Sequence, residues 1–316
     1  MSEQKLVATR DVYGQTLLEI GRENQAIVVL DADLSVSTKT ALFGKEFPKR
    51  FFNMGIAEQD MISTAAGLAT CGKIVFASTF AVFGSGRAWD QVRMSVAYTR
   101  QNVKIVVTHG GLTTGEDGAS HQANEDLAIM RALPNMTVIV PADGYEAANV
   151  IRAAAKMHGP AYIRMSRAKT PLVYENEYYG YEIGKGIVLR DGNDATIFAC
   201  GIMVNAALAA AEELHRKGIN CRVVNIHTIK PLDKQLVIKC AEETGAVVTA
   251  EEHSIIGGLG SAIAEITSEN YAVPLARIGV RDTFGESGSP DELLIKYGLT
   301  KDDIIQAVKA VVKRKK

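Results

Sequence analysis

Short β-branched runs alternate with longer stretches of helical period along most of this chain, and that alternation limits the fold more than any other feature. The strand candidates are AIVVL (26–30), KIVFAS (73–78), VKIVVTH (103–109), MTVIV (136–140) and AYIRM (161–165). Between them the spacing predicts helices over 56–70, 87–98, 125–133 and 144–157. Strands joined by helices of this length pair in parallel, through crossover connections, into a doubly wound α/β sheet. Nearly continuous apolar strands also predict a sheet covered on both faces.

The pattern breaks over AKTPLVYENEYYGYEIGKG, which shows neither period and reads as a linker between domains. A second α/β alternation follows, with strand candidates at 195–201, 220–227 and 246–252 and a last helix from Asp302. Two unequal α/β domains are expected, 1–178 and 179–316, which agrees with a length of 316 residues.

Composition excludes several function classes. Hydrophobic residues make up 47% and charged residues 22%, as in a soluble globular protein with a full core. The formal net charge is −1, from 35 basic and 36 acidic residues, so no global field favours nucleic acid or an anionic membrane. No apolar run approaches the ~20 residues of a membrane span. MSEQKLVATRD lacks a signal-peptide core, and a cytoplasmic location is expected. Cys71, Cys200, Cys221 and Cys240 are far apart with no CxxC pair, which predicts buried free thiols rather than disulfides or a metal centre. The basic tail reads as a solvated helix end.

Three clusters could carry chemistry. In FFNMGIAEQDMISTAAGLA, Asn53 is a candidate helix cap and Glu58 falls near the first turn. Glu58 is then either a favourable acid at a helix N-terminus or a carboxyl facing an apolar pocket, where desolvation would let it hold a proton. Phe80 and Phe83 follow the end of a strand, where α/β proteins build ligand crevices, and fit either core packing or a ring-stacking platform. THGGLTTGEDGASHQ places His109, Asp117 and His121 in one long polar loop after an apolar strand. Such loops are usually functional, and paired imidazoles with a carboxylate suit proton handling. IIGGLGSA lacks GxGxxG spacing, and no GxxxxGK[ST] loop occurs, so dinucleotide and P-loop sites are not supported.

Taken in order, DADLSVS (31–37), GIAEQ (55–59), STFAVF (78–83), THGGLTTGEDGASHQ (108–122), RALPNMTVIVPAD (131–143), RMSR (164–167), NIHTIKPLD (225–233) and AEEHSIIGGLG (250–260) resemble the C-terminal half of transketolase over nearly the whole chain. The resemblance implies a pyrimidine-binding thiamine-diphosphate fold followed by a smaller transketolase C-terminal α/β domain. It implies that Glu58 hydrogen-bonds the aminopyrimidine of thiamine diphosphate, and that Phe80 and Phe83 pack on that ring. Asp33 and Leu34 match positions lining the cofactor from the dimer-related chain. His109, Asp117 and His121 match residues that bind sugar hydroxyls and move protons. Ser37 and Arg167 match residues gripping the sugar phosphate, and Arg167 suits a dianion through its bidentate fork.

Two features depart from the family pattern. Gly86 stands where many full-length members carry a third aromatic, and the glutamate motif reads GIAEQ rather than the arginine-containing form. Family members hold the diphosphate and Mg²⁺ with a GDG motif and, further on, paired asparagines; neither is present. The initiating Met and coherent start therefore predict one subunit of a two-polypeptide enzyme, inactive alone and sharing its cofactor with an N-terminal partner that binds Mg²⁺, in an expected α₂β₂ assembly. The expected reaction moves a two-carbon ketol unit between sugar phosphates of the pentose phosphate pathway. The alternatives are a β-type subunit of a 2-oxoacid dehydrogenase, half of a deoxyxylulose-phosphate synthase, or a non-catalytic scaffold.

Overall fold

A computed structural model describes residues 6–315. Residues 1–5, with the start of the N-terminal segment, lie outside the described residues, as does Lys316. Two sheets organise the chain. Across the larger, seven-stranded one the order is Thr228–Lys230, Thr137–Ile139, Ala161–Arg164, Val103–Thr108, Ile74–Phe80, Ile27–Asp31 and Phe51–Asn53. All its neighbours pair in parallel except Thr228–Lys230, which runs antiparallel to Thr137–Ile139. The five-stranded sheet runs Leu275–Val280, Val247–Ser254, Ala195–Ala199, Cys221–Asn225 and Ile187–Arg190, with only the last pair antiparallel.

The sequence pattern accounts for these layers. Every residue of Val103–Thr108 is buried, as a strand covered on both faces requires. Helix Thr9–Glu23 buries Tyr13, Leu17 and Ile20, spaced four and three apart on one stripe. Each such side chain contributes ~1.5–3 kcal/mol when fully buried. Helix Gly144–Lys156 begins where Asp143 accepts the Glu146 amide at 2.8 Å, a side-chain cap on an otherwise unpaired donor.

Several expectations need correction. Asn53 caps no helix: it ends a strand, and its Oδ1 accepts the amides of Asp33 and Gly55 at 3.1 and 3.0 Å. Helix Glu58–Thr70 starts from Ala57 with no side-chain cap. The continuous helix expected over 87–98 is broken into π-turns at Phe83–Arg87 and Val92–Ala97 around a short α-turn, Trp89–Gln91. Insertions of this type recur near functional sites. Cys71 is exposed rather than buried, while Cys200, Cys221 and Cys240 are buried and all four are free.

The tyrosine-rich stretch expected as a linker is tied to the fold along its length. Lys169–Pro171 pairs with Leu6–Ala8. The rings of Tyr174 and Tyr179 stack 3.6 Å apart, and their hydroxyls donate to buried Glu146 at 3.1 and 3.2 Å. Burial pushes the Glu146 carboxyl up to about 7, although Asn225 and the Ala142 amide donate to it. The second domain also supplies Thr228–Lys230 to the edge of the first sheet, so the two units share a layer. Among the described residues, no helix is long and apolar enough to cross a membrane.

Candidate active site

Parallel strands deliver the loops at their carboxyl ends to one crevice. Arg10, Ser37, Phe80, His109, Asp117, His121 and Arg167 line a single cleft. Phe80 ends strand Ile74–Phe80, His109 follows Val103–Thr108, and Arg167 lies just past Ala161–Arg164. Ser37 sits in a short helix after Ile27–Asp31. Buried Asp31 holds that helix, accepting the Leu34 amide at 2.6 Å and the hydroxyls of Thr38 and Thr40 at 2.7 and 2.8 Å. Burial raises the Asp31 pKa against those bonds.

His109 has φ 60°, a left-handed conformation uncommon outside glycine. Its ring stacks on Phe80 with centroids 3.8 Å apart. Nε2 lies 3.1 Å from Arg10 Nη1, and Nδ1 lies 2.7 Å from Thr108 Oγ1. A guanidinium only donates, so Nε2 accepts and the ring proton sits on Nδ1. Burial, then the charges of Arg10 and Arg167, pushes His109 down to about 3. His109 is therefore a neutral acceptor at ordinary pH. His121 stands edge-on to Phe80 and Phe83, with centroids 6.2 and 5.3 Å away, and its Nδ1 is 2.9 Å from Ser120 Oγ.

Arg167 Nη1 donates to the Thr114 carbonyl and reaches Glu116 and Asp117 at 3.3 and 3.5 Å. Arg10 sits in the first turn of helix Thr9–Glu23, and its buried Nε finds no partner among the described residues. Sequence reasoning missed Arg10, although a cation at a helix N-terminus runs against the macrodipole. Two guanidiniums and Ser37 thus share one cleft with the two histidines and Asp117.

Glu58 and Phe83 flank this cleft without lining it. Phe83 lies 6.0 Å from Phe80, nearly parallel at 13°. Glu58 is the first residue of its helix and is 2% exposed. Its setting is not wholly apolar: Arg87 Nη1 donates to both carboxylate oxygens at 3.0 and 3.1 Å, and the Arg87 Cζ lies 4.5 Å from the Phe83 ring centroid. Arg87 was likewise not anticipated. Beside it, a side chain at Gly86 would meet open space. Asp33 and Leu34 do not line the cleft; Asp33 is exposed and bonded to Asn53. Among the described residues, no group of three or more His, Cys, Asp or Glu side chains could hold a metal ion.

Two α/β units with aromatic and carboxyl groups beside a cleft that two arginines line define the class of site. Residues 5–173 match the family model for the transketolase pyrimidine-binding domain, and residues 184–304 match the transketolase C-terminal domain. The chain belongs to the transketolase family. It is 55% identical to a putative transketolase C-terminal section of Methanocaldococcus jannaschii, over 96% of each chain. It is 46% identical to the 6-deoxy-6-sulfo-D-fructose transketolase subunit SqwH of a Clostridium species, over 97% of this chain and 95% of that one. A solved split gene transketolase, described as an inactive β4 tetramer, superposes with a TM-score of 0.92 at 54% identity, covering 98% of this chain and all of the other.

Proposed function

We propose that this chain is the C-terminal subunit of a two-polypeptide transketolase, moving a two-carbon ketol unit from a ketose phosphate to an aldose phosphate through thiamine diphosphate. The observation that carries the reading is the single cleft that joins Arg10, Ser37, His109, Asp117, His121 and Arg167 around Phe80. The domain boundary falls near 178/179, and the assembly pairs this chain with an N-terminal subunit that carries the diphosphate and Mg²⁺ site. The relative solved as a split gene transketolase, inactive as a β4 tetramer, supports that partner dependence.

The residues present fit the proposed cofactor. Phe80 and Phe83 offer near-parallel faces for a planar ring, and buried Glu58 offers a carboxyl to a ring nitrogen. When bound, thiamine diphosphate would supply the electron sink for carbon–carbon cleavage. The chain's own residues do the rest. Arg10 and Arg167 grip a phosphate dianion, with the Ser37 hydroxyl beside them. Asp117 accepts sugar hydroxyl protons. His109, held neutral, accepts a hydroxyl proton once the phosphate draws Arg10 away. His121, with Nε2 uncommitted, passes protons to and from the sugar oxygens.

The test is reconstitution. Mixed with an N-terminal subunit, the chain should transfer ketol units from xylulose 5-phosphate to ribose 5-phosphate. A His121→Ala complex should lose sugar turnover while it keeps thiamine diphosphate binding. Equal turnover by that variant would refute the assignment.

A further inference from the structure

The loop that carries the cleft histidines is fastened from the second domain. Glu252 lies in strand Val247–Ser254, 4% exposed, and its Oε1 accepts the Thr113 amide at 2.6 Å. Thr113 and Thr114 form the hub of turn Leu112–Asp117. Thr114 Oγ1 donates to the His109 carbonyl at 2.8 Å, and the Thr114 carbonyl accepts from Arg167. One carboxylate therefore holds the turn whose next residue, Thr114, contacts both His109 and Arg167.

The surroundings are shaped for this contact. Gly111 has φ 78°, and a Cβ there would lie 2.5 Å from the Glu252 carboxyl carbon, so the loop backbone rests directly on the carboxylate. A second tie runs through Gln122, whose Nε2 donates to the carbonyls of Leu112, Gly115 and Glu286. A buried carboxylate beside Asp126 is costly to keep. Burial drives Glu252 up to about 7 despite the Arg164 charge and the Thr113 amide. Simple domain packing would be served by an apolar side chain.

The geometry points to Glu252 as a positioning residue: through Thr113, the second domain sets the sugar-phosphate anchors of the cleft. The reading of those groups as sugar-phosphate anchors rests on the function proposed above. Arg164 bonds the Glu252 backbone oxygen, so it keeps that contact when the side chain changes.

Three variants separate reach from charge. Glu252→Ala removes the acceptor, Glu252→Asp keeps the charge but falls short, and Glu252→Gln keeps an oxygen in place without the charge. In the lone chain, hydrogen exchange at 113–117 should rise about tenfold in the Ala and Asp variants and stay near wild type in Gln, since losing such a bond is worth about one decade. Exchange in strands Val103–Thr108 and Ala195–Ala199 should not change. In the reconstituted complex, the Ala and Asp variants should raise the sugar phosphate KM about tenfold, with kcat and thiamine diphosphate affinity within twofold of wild type, and Gln should restore KM. Unchanged loop exchange in Ala, a Gln variant that behaves like Ala, or faster exchange with an unaltered KM would overturn the proposal. A complex with no ketol transfer at all would refute the transketolase reading, while the exchange data still decide whether Glu252 fixes the loop.

Discussion

Arg87 donates from one guanidinium nitrogen to both oxygens of Glu58, at 3.0 and 3.1 Å, while it lies against the face of Phe83. On the function proposed above, this cation takes the place that a ring nitrogen and a planar ring would occupy. To receive a ring nitrogen, Glu58 must give up this pair. Glu58 is buried but Arg87 is half-exposed, so solvent screens the pair from the arginine side and keeps it near the upper end of exposed pairs, about 1 kcal/mol. Arg87→Ala in the complex should tighten thiamine diphosphate binding by up to about fivefold. Isothermal titration of the cofactor checks this, and weaker binding would show that Arg87 supports the cofactor instead.

Glu58 itself should be indispensable for turnover. Glu58→Gln keeps the shape of the side chain but cannot share a proton in the same way, and general acid–base groups contribute about 10²–10⁴-fold. Turnover in the complex should fall by that order, with cofactor binding partly retained. Steady-state kinetics beside a binding titration would show it, and wild-type turnover would remove Glu58 from the mechanism.

His109 gives a pH signature. Burial, with Arg10 next in weight, lowers it from the ordinary 6.5 to about 3, so the folded ring stays neutral where the unfolded one gains a proton. Its contribution to stability is full above 6.5 and is lost as the pH falls from there toward about 3. Nitrogen NMR of the histidine rings should show His109 neutral, with the proton on Nδ1, down to pH ~5. A midpoint between 6 and 7 would contradict the Arg10 contact.

Phosphate recognition should be shared. Arg10→Gln or Arg167→Gln should each raise the sugar phosphate KM by about tenfold or more, because hydrogen bonds to charged groups are worth about 1.5–3 kcal/mol. An uncharged ketose should be affected far less. Equal losses for both substrates would mean that the arginines only hold the loop.

Much of this was legible in the chain. Period placed most of the parallel strands, because a strand buried on both faces leaves an unbroken apolar run such as Val103–Thr108, but it missed the half-exposed edge strands Phe51–Asn53 and Leu275–Val280. The motif-bearing loops followed, since the residues at strand ends share one crevice. What stayed hidden depends on contacts between distant segments. Arg10 and His109 are ninety-nine positions apart, and Glu252 and Thr113 one hundred and thirty-nine. The π-turn that brings Arg87 to Glu58 also has no periodic signal. Tyr174 and Tyr179 look like linker residues until Glu146 supplies their common acceptor.

The central claim is that this chain holds the pyrimidine and sugar side of a shared active site and needs a partner for the rest. The most direct measurement is ketol transfer from xylulose 5-phosphate to ribose 5-phosphate, with thiamine diphosphate and Mg²⁺ supplied. It is run with the purified chain alone and again after addition of an N-terminal transketolase subunit carrying the GDG and paired-asparagine motifs. No transfer alone and turnover on mixing is the predicted result. Turnover by the lone chain, or none in a verified complex, would contradict it.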